Sequence, residues 1–445
     1  LYARPAYITP GDEPRDLPVE SIAYLTYLGD YHPPLGGFFV LMLTLALAVA
    51  GRKRQDEEAA VAHDASTKES TAAASDSVTA CTAHSPCDQL ITALMGATPF
   101  IMLATNAWTF PVQCVLLAGW LLYRRANGGI EWRALIAGAF TALALVYPFL
   151  THLAANALAT PIGWVQAADH TPLAVFLGLH WPILILLALG LWVGRKEKWL
   201  LYLTLTLAGV LLMSELIYVD DPMGGKYNRF NTVLKWWSWL WPAVIIGVGS
   251  AVYGLGNKIL RGVVLAVCIA LLSYALPMAT YFVLSQKPAM GKMAGNHWLK
   301  SDDAHRNIIN QLKNSPDGIV LEGIAGGAYS HATSFALNAN KASLMGWPDH
   351  VSQWRNNPNY IRIRAEQQRA FYRGALPDPM AWLAQYKVRY IVWNNYDQQR
   401  EAPATRAMIN AQIARDYHWR PFHQAGDVEL GYWERRDDSR SVSAK

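Results

Sequence analysis

The chain has 445 residues, of which 52% are hydrophobic and 16% charged, and its formal net charge is +5. Soluble domains carry about 25% charged residues, so a chain built only of soluble domains is excluded. The basic residues fall largely beside apolar runs and in the tail, so the positive balance is no nucleic-acid signal and no nucleic-acid partner is expected. The average hides a contrast between residues 34–284, which carry long apolar runs, and residues 285–445, which read as a soluble protein. Position 1 is Leu and no signal-peptide pattern precedes the first run. The chain is therefore expected to be a fragment lacking an N-terminal part.

Residues 1–33 are polar and proline-rich, end in Gly29-Asp30-Tyr31-His32-Pro33, and read as an external segment before the first span. Apolar runs follow at 34–51, 89–106, 108–124, 134–153, 173–194, 198–218, 236–256 and 263–284. A crossing takes roughly 20 apolar residues, with about 17 as the lower limit, so about eight spans are expected. Residues 52–88 are rich in Ala, Ser, Thr and acids, and read as a disordered cytoplasmic loop. The runs 89–106 and 108–124 are either two spans joined by a sharp turn or one re-entrant excursion.

Orientation follows from the positive-inside rule. Eight alternating spans put Arg52 to Arg54, Arg124, Arg125, Arg133, Arg195, Lys196, Lys198, Lys258 and Arg261 on the cytoplasmic side. Asp30, His32, Asn106, Trp108, Trp164, Asp169 and His170 then share the outer face. So does the stretch from Glu215 to Lys235, the one loop whose bases break the bias. Glu215, Asp220 and Asp221 lie within seven positions, and Lys226, Arg229 and Lys235 follow among Gly224, Gly225, Asn228 and Asn231. Charges at a membrane helix end are costly unless they face water or protein. Two readings fit: a loop offering carboxylates and cations to a ligand, or an interfacial loop closed by a local salt bridge. Trp236, Trp237, Trp239 and Trp241 read as a headgroup-level aromatic belt. His152 and His180, alone on apolar runs, read as hydrogen-bonded core residues.

The tail from residue 285 reads as a separate α/β domain outside the membrane. Helices are expected at Asp303 to Lys313, Asn359 to Arg373 and Pro379 to Tyr386. Strands are expected at Gly318 to Gly323, Ala342 to Gly346, Arg389 to Trp393 and Val428 to Glu434. Gly323 to Ala328 is a weak phosphate-loop candidate, because it lacks the Lys-Ser/Thr ending. Cys114 and Cys268 read as buried fillers. Cys81, His84 and Cys87 fall short of a structural zinc site, and no disulfide framework is present.

Several segments resemble the YYY-type membrane protein family, a prokaryotic family of unknown function often grouped with the GT-C glycosyltransferases. They are Gly29 to Pro33, Thr105 to Pro111, Glu215 to Asp220, Arg229 to Lys235, Ala328 to Ser330, Gly346-Trp347, and His350 to Trp354-Arg355. Together they run across most of the chain. The Arg-x-Asn-Thr-x-x-Lys and Gly-Trp…Trp-Arg stretches are the more specific. Thr109 departs from the acid expected after the tryptophan, and the tyrosine-rich N-terminal region that names the family is absent. A GT-C-like enzyme keeps a key acid in its first external loop, so the main catalytic residue is expected in the missing part.

The resemblance implies a membrane glycosyltransferase that moves a sugar from a polyprenyl-phosphate donor to a glycan or protein acceptor outside the cytoplasm. It gives Asp30, His32, Glu215, Asp220 and Asp221 as catalytic candidates. Lys226, Arg229, Asn231 and Lys235 would hold the lipid phosphate. Trp108, Trp347, His350, Trp354 and Arg355 would hold the acceptor or sugar. A divalent metal, Mg or Mn, held by carboxylates is an option, and no other cofactor is implied. The rival classes are a transporter or flippase, whose charges would sit on broken helices near the bilayer centre, and an envelope-assembly scaffold. The resulting fold class is mainly α: a polytopic helical bundle in the cell membrane with a small external α/β domain.

Overall fold

The computed structural model describes residues 6–7, 15–16, 34–69, 85–154, 160–221, 227–285, 299, 302–324, 330, 332–355, 358–425 and 428–436. The chain divides into two compact units, one holding the apolar helices and one the C-terminal tail. In the first unit the strands β1 (Ala6–Tyr7) and β2 (Arg15–Asp16) pair antiparallel. The helices that follow are α1 (Pro34–Glu69), α2 (Pro86–Thr105), α3 (Phe110–Asn127), α4 (Trp132–Pro148), α5 (Leu173–Gly194) and α6 (Lys198–Leu216). After them come α7 (Phe230–Pro242), a π-helical stretch at Ala243–Gly249, α8 (Ser250–Leu255) and α9 (Lys258–Ser285).

Among the described residues, six segments have the length and hydropathy to cross a membrane: Leu35–Arg54, Pro86–Thr105, Trp132–His152, Leu173–Gly194, Lys198–Leu216 and Phe230–Leu255. Two more apolar helices, α3 and α9, have 18 and 28 residues. At 1.5 Å per residue they are about 27 and 42 Å long. The helix α1 runs on through Glu69, so part of the expected loop 52–88 is helical. Residues 70–84, with Cys81 and His84, lie outside the described residues.

The ambiguous pair resolves into a helical hairpin. α2 stops at Asn106, a single 3₁₀ turn spans Ala107–Thr109, and α3 starts at Phe110. Its open ends are pinned together: Arg124 donates through Nη1 and Nη2 to both carboxylate oxygens of Asp88, each at 2.8 Å. Both residues are buried. Asp88 lies in the first turn of α2 and Arg124 in the last turn of α3, the ends where each charge is favoured by the helix dipole. The helices α2 and α4 approach backbone to backbone. A Cβ at Gly96 would stand 2.2 Å from the Leu135 carbonyl, and one at Gly138 would stand 1.8 Å from that of Ala93. Small residues permit such approaches in membrane bundles.

The tryptophan run is not a surface belt. Trp236, Trp237 and Trp239 are among the most buried side chains of the bundle. Their spacing on α7 turns them inward, and each polar indole edge that is satisfied finds a protein partner. Trp236 donates to the Trp108 carbonyl at 2.7 Å and Trp237 to Ser214 Oγ at 2.9 Å. His180 is a core residue as expected, accepting from Trp241 Nε1 at 3.3 Å. His152 instead is exposed, on a π-helical turn (Phe149–Ala154) that follows α4; its ring contacts Thr151 and the Pro148 carbonyl.

The C-terminal unit holds α10 (Asp303–Asn314), α11 (Ser334–Asn338), α12 (Pro348–Arg355), α13 (Pro358–Tyr372), α14 (Pro379–Gln385), α15 (Asn395–Arg400) and α16 (Thr405–Ile413). Its sheet has the order β5 (Ile319–Leu321), β6 (Val388–Trp393), β8 (Val428–Arg435), β7 (Tyr417–Ala425). β5 and β6 are parallel, and the other neighbours antiparallel. The apolar faces of β6 and β8 carry Ile391, Trp393 and Trp433 into one core, and Tyr390, Val392 and Tyr432 into another on the opposite face, the period-2 alternation of strands. The strand expected at Ala342 to Gly346 shrinks to one bridge, Ser343 opposite Val320. Most of the Gly323 to Ala328 loop lies outside the described residues.

Candidate functional site

The stretch from Glu215 onward is held by pairing with residues far away in sequence. Beyond α6 the chain forms β4 (Ile217–Val219), antiparallel to β3 (Ile162–Trp164). Further bonds extend that ribbon at both ends: Val165 N donates to the Leu216 carbonyl at 2.9 Å, and Asp220 N to the Pro161 carbonyl at 2.8 Å. On the other side, Thr232 Oγ1 accepts from Val219 N at 2.9 Å and donates to the Val219 carbonyl at 3.0 Å. The loop is therefore clamped between a β ribbon and the first turn of α7.

Arg229 is the centre of that clamp, and it is buried. Its Nε and Nη2 donate to the Ser214 carbonyl at 3.1 and 2.5 Å. Its Nη1 donates to the Asp169 carbonyl at 2.8 Å and to Thr171 Oγ1 at 3.4 Å. Nη2 also donates to Glu215 Oε1. A guanidinium has five N–H donors, and all five are committed within the protein. The last carbonyls of a helix lack internal partners and carry its negative end, and Arg229 caps α6 at that point.

Glu215 is equally engaged. Oε1 accepts from Thr171 Oγ1 at 2.8 Å, Oε2 accepts from Thr171 N at 3.0 Å, and His170 Nδ1 lies 3.9 Å from Oε2. A carboxylate at the C-terminal end of a helix is disfavoured by the dipole, and the Arg229 cation offsets that. The salt-bridge reading of this stretch is thus realised in Glu215 and Arg229.

A second cluster lies beside the clamp. Asn231 Nδ2 donates to Asp221 Oδ2, and Asp221 N donates to the Asn228 carbonyl at 3.1 Å. Asp221 and Lys235 are buried. Asn231 and Lys235 stand four apart on α7, and so share a face of the helix. Next to them, Asp220 Oδ1 is a buried oxygen with no hydrogen-bond partner among the described residues. Buried carboxylate oxygens are ordinarily paired. Trp108 sits half-buried at the hairpin turn, its carbonyl held by Trp236.

The structure therefore gathers Asp220, Asp221, Asn231 and Lys235 at one end of α7, adjoining Glu215 and Arg229. Asp30, His32 and Lys226 lie outside the described residues. In the C-terminal unit Trp347 and His350 come together edge to face at 5.7 Å. Trp354 and Arg355 occupy the last turn of α12, and their side chains lie outside the description. Among the described residues no three His, Cys, Asp or Glu side chains converge to hold a metal.

Sequence reasoning missed Asp88, Thr171 and Ser214. Asp88 was legible in principle, as a charge at the edge of an apolar run. Thr171 and the Ser214 carbonyl carry no sequence signal, since hydroxyls and carbonyls at helix ends are common.

The opposite end of the bundle carries the basic residues. Arg52 donates to Glu197 at 3.2 Å and stacks on Trp199, and a Cβ at Gly51 would stand 3.7 Å from Arg124. Gly36 and Gly37, at the other end of α1, lie against Thr105 and Asn106. Arg52, Arg124 and Glu197 are thus gathered around one end of the apolar run of α1, and Thr105 and Asn106 around the other.

No curated protein and no solved structure matches the chain. It is a membrane protein by its apolar helices, and residues 131–242, which hold the Thr171–Glu215–Arg229 clamp and the Asp220–Lys235 cluster, match the model of a family described as uncharacterized membrane protein, DUF2298.

Proposed function

We propose that the protein is a GT-C-like glycosyltransferase of the cell membrane, moving a sugar from a polyprenyl-phosphate donor to a glycan or protein acceptor on the extracytoplasmic side. The observation that carries this reading is the buried Asp220 carboxylate oxygen, without a partner among the described residues, beside the Asp221–Asn231 pair, with Lys235 one helical turn from Asn231. A base and a cation at one membrane end are what transfer from a lipid phosphate requires. In the step, a carboxylate takes the proton of the acceptor hydroxyl. The acceptor oxygen bonds to the anomeric carbon as its bond to the phosphate oxygen breaks. The electron pair leaves with the lipid phosphate, whose charge Lys235 would stabilise. Arg229 and Glu215 hold the loop; with every guanidinium donor engaged, Arg229 acts by positioning. The described acids fall short of a metal-binding set, and no step here uses a metal. With the basic end of the bundle facing the cytoplasm by the positive-inside rule, this cluster would lie outside.

The test is transfer from radiolabelled polyprenyl-phosphate sugars by the protein in native membranes, comparing wild type with Asp220→Asn and Asp221→Asn. Loss of one catalytic base lowers turnover by about 10²–10⁴-fold at unchanged protein level. Full transfer by both variants removes the chemistry from this loop. No transfer from any donor by the wild type sinks the glycosyltransferase reading.

A further inference from the structure

At the basic end of the bundle a partly open cavity of about 610 Å³ lies between α1, α3, α6 and the π-helical stretch. It is independent of the cluster described above. Leu45, Val49, Leu116 and Trp120 line it. All three Thr and Ser residues of its lining bond a carbonyl one turn back: Thr44 that of Val40, Thr206 that of Tyr202 and Ser250 that of Ile246. Its interior therefore asks for hydrocarbon. The packing that shapes it is tight: a Cβ at Gly119 would stand 2.0 Å from Thr206 Oγ1. The opposite wall is a π-helical stretch, a departure from regular helix that often marks functional sites.

Depth and charge name the occupant. On α1 the lining runs from Met42 to Lys53, about 17 Å at 1.5 Å per residue. That is about half of a 30 Å hydrocarbon core, the depth of one leaflet. A chain much longer than one leaflet, such as a polyprenyl chain, would overrun it. At the polar end the lining includes Lys53, with Arg52 beside it, stacked 4.8 Å over Trp199 and paired to Glu197. Arg195, Lys196 and Lys198 flank that acid in sequence. Tyr123 and Tyr202, edge to face at 5.9 Å, stand at the same level.

We propose that this groove binds one acyl chain of an anionic glycerophospholipid, with its phosphate at Lys53. The protein would then recruit a specific lipid of the leaflet at its basic end, separately from any lipid used at the Asp220 cluster.

The experiment is native mass spectrometry of the protein released from nanodiscs of phosphatidylglycerol and phosphatidylcholine in equal parts. Four proteins are compared: wild type, Lys53→Glu, Ala251→Trp to fill the groove, and Leu212→Trp as a control on an exposed face. Wild type and the control retain phosphatidylglycerol in preference by about fivefold, the factor one basic residue contributes beside an anionic lipid. Lys53→Glu, a surface change, brings the two lipids to parity, and Ala251→Trp removes most of the retained lipid. Equal retention of both lipids by the wild type, or a preference untouched by Lys53→Glu, makes the groove ordinary lipid contact and overturns the proposal. So does displacement of phosphatidylglycerol by a polyprenyl phosphate added at equal concentration. None of these outcomes depends on sugar transfer.

Discussion

Replacing Arg229 by lysine keeps the charge but offers three donors where five are spent, and in a different geometry. Replacing it by alanine leaves the half-buried Glu215 without its cation, held by Thr171 alone, and strips the Ser214 carbonyl of its guanidinium donors. Breaking a buried pair in this way costs about 3–5 kcal/mol. Arg229→Ala is therefore expected to unfold several degrees earlier in detergent. Arg229→Lys should fall between, and Thr171→Val, which removes a hydroxyl bonded to Glu215 and to Arg229, should lose about 1.5–3 kcal/mol. Thermal unfolding followed by tryptophan fluorescence reads all three. A wild-type melting curve for Arg229→Ala would remove the clamp from the account. The sequence made Glu215 and Arg229 visible as charges near an apolar run. Their commitment to each other was not visible, because it depends on carbonyls that every residue carries.

Two acids in the C-terminal unit give a pH signature at the same scale. Burial pushes the Glu322 carboxyl up to about 8 and that of Asp397 up to about 7. The Asp397 charge adds to the shift on Glu322, while backbone N–H donors from Phe335 and Ala336 oppose it. Their ordinary values are 4.5 and 3.8, so the folded state holds protons that the unfolded state has released. The protonated acids' contribution is complete below about pH 4 and is lost as pH rises through 7 and 8. Hydrogen-exchange protection of β5 and β6 should fall between pH 5 and pH 8, after correction for intrinsic exchange rates. Glu322→Gln should flatten that fall, and an unchanged slope in the variant would assign it elsewhere.

Among the elements, α2 and α4 depend on Gly96 and Gly138. A side chain at either meets a carbonyl of the facing helix, and backbone cannot yield as a flexible side chain can. Gly138→Leu is expected to separate the two helices and to lower the yield of folded protein in fluorescence-detected size exclusion. Gly209→Leu, on α6 with nothing within 4 Å of its Cβ position, should leave it unchanged. The helices themselves were legible because an apolar run of membrane length has few alternatives in lipid. The tryptophan run misled because composition reports amphipathic residues but not which neighbours they meet. The tail helices at Asp303–Asn314 and Pro358–Tyr372 emerge within a residue or two of their expected ends. β7, with Pro421 inside it and mixed polarity, was missed. It owes its place to pairing with β8, an edge position where a proline is tolerated.

At the scale of the molecule, the two ends of the bundle carry different chemistry, and orientation decides which faces the cytoplasm. Cys87 is exposed and lies one residue from the Asp88–Arg124 pair that closes the basic end. In a variant keeping Cys87 alone, a membrane-impermeant maleimide should label it only after the cells are permeabilised. Labelling of intact cells would invert the topology and place the Asp220 cluster inside, against external transfer. The number of apolar runs, their alternation with basic loops, and the division between membrane unit and tail were determined by sequence alone. Hydropathy and charge are properties of residues taken one at a time along the chain. Tertiary structure decided which charges are spent and which remain. It joined Asp88 to Arg124 and Thr171 to Glu215, turned the tryptophans inward, and left one Asp220 oxygen without a partner among the described residues. Those outcomes depend on distances between residues far apart in the chain, where a displacement of about 1 Å separates a hydrogen bond from none.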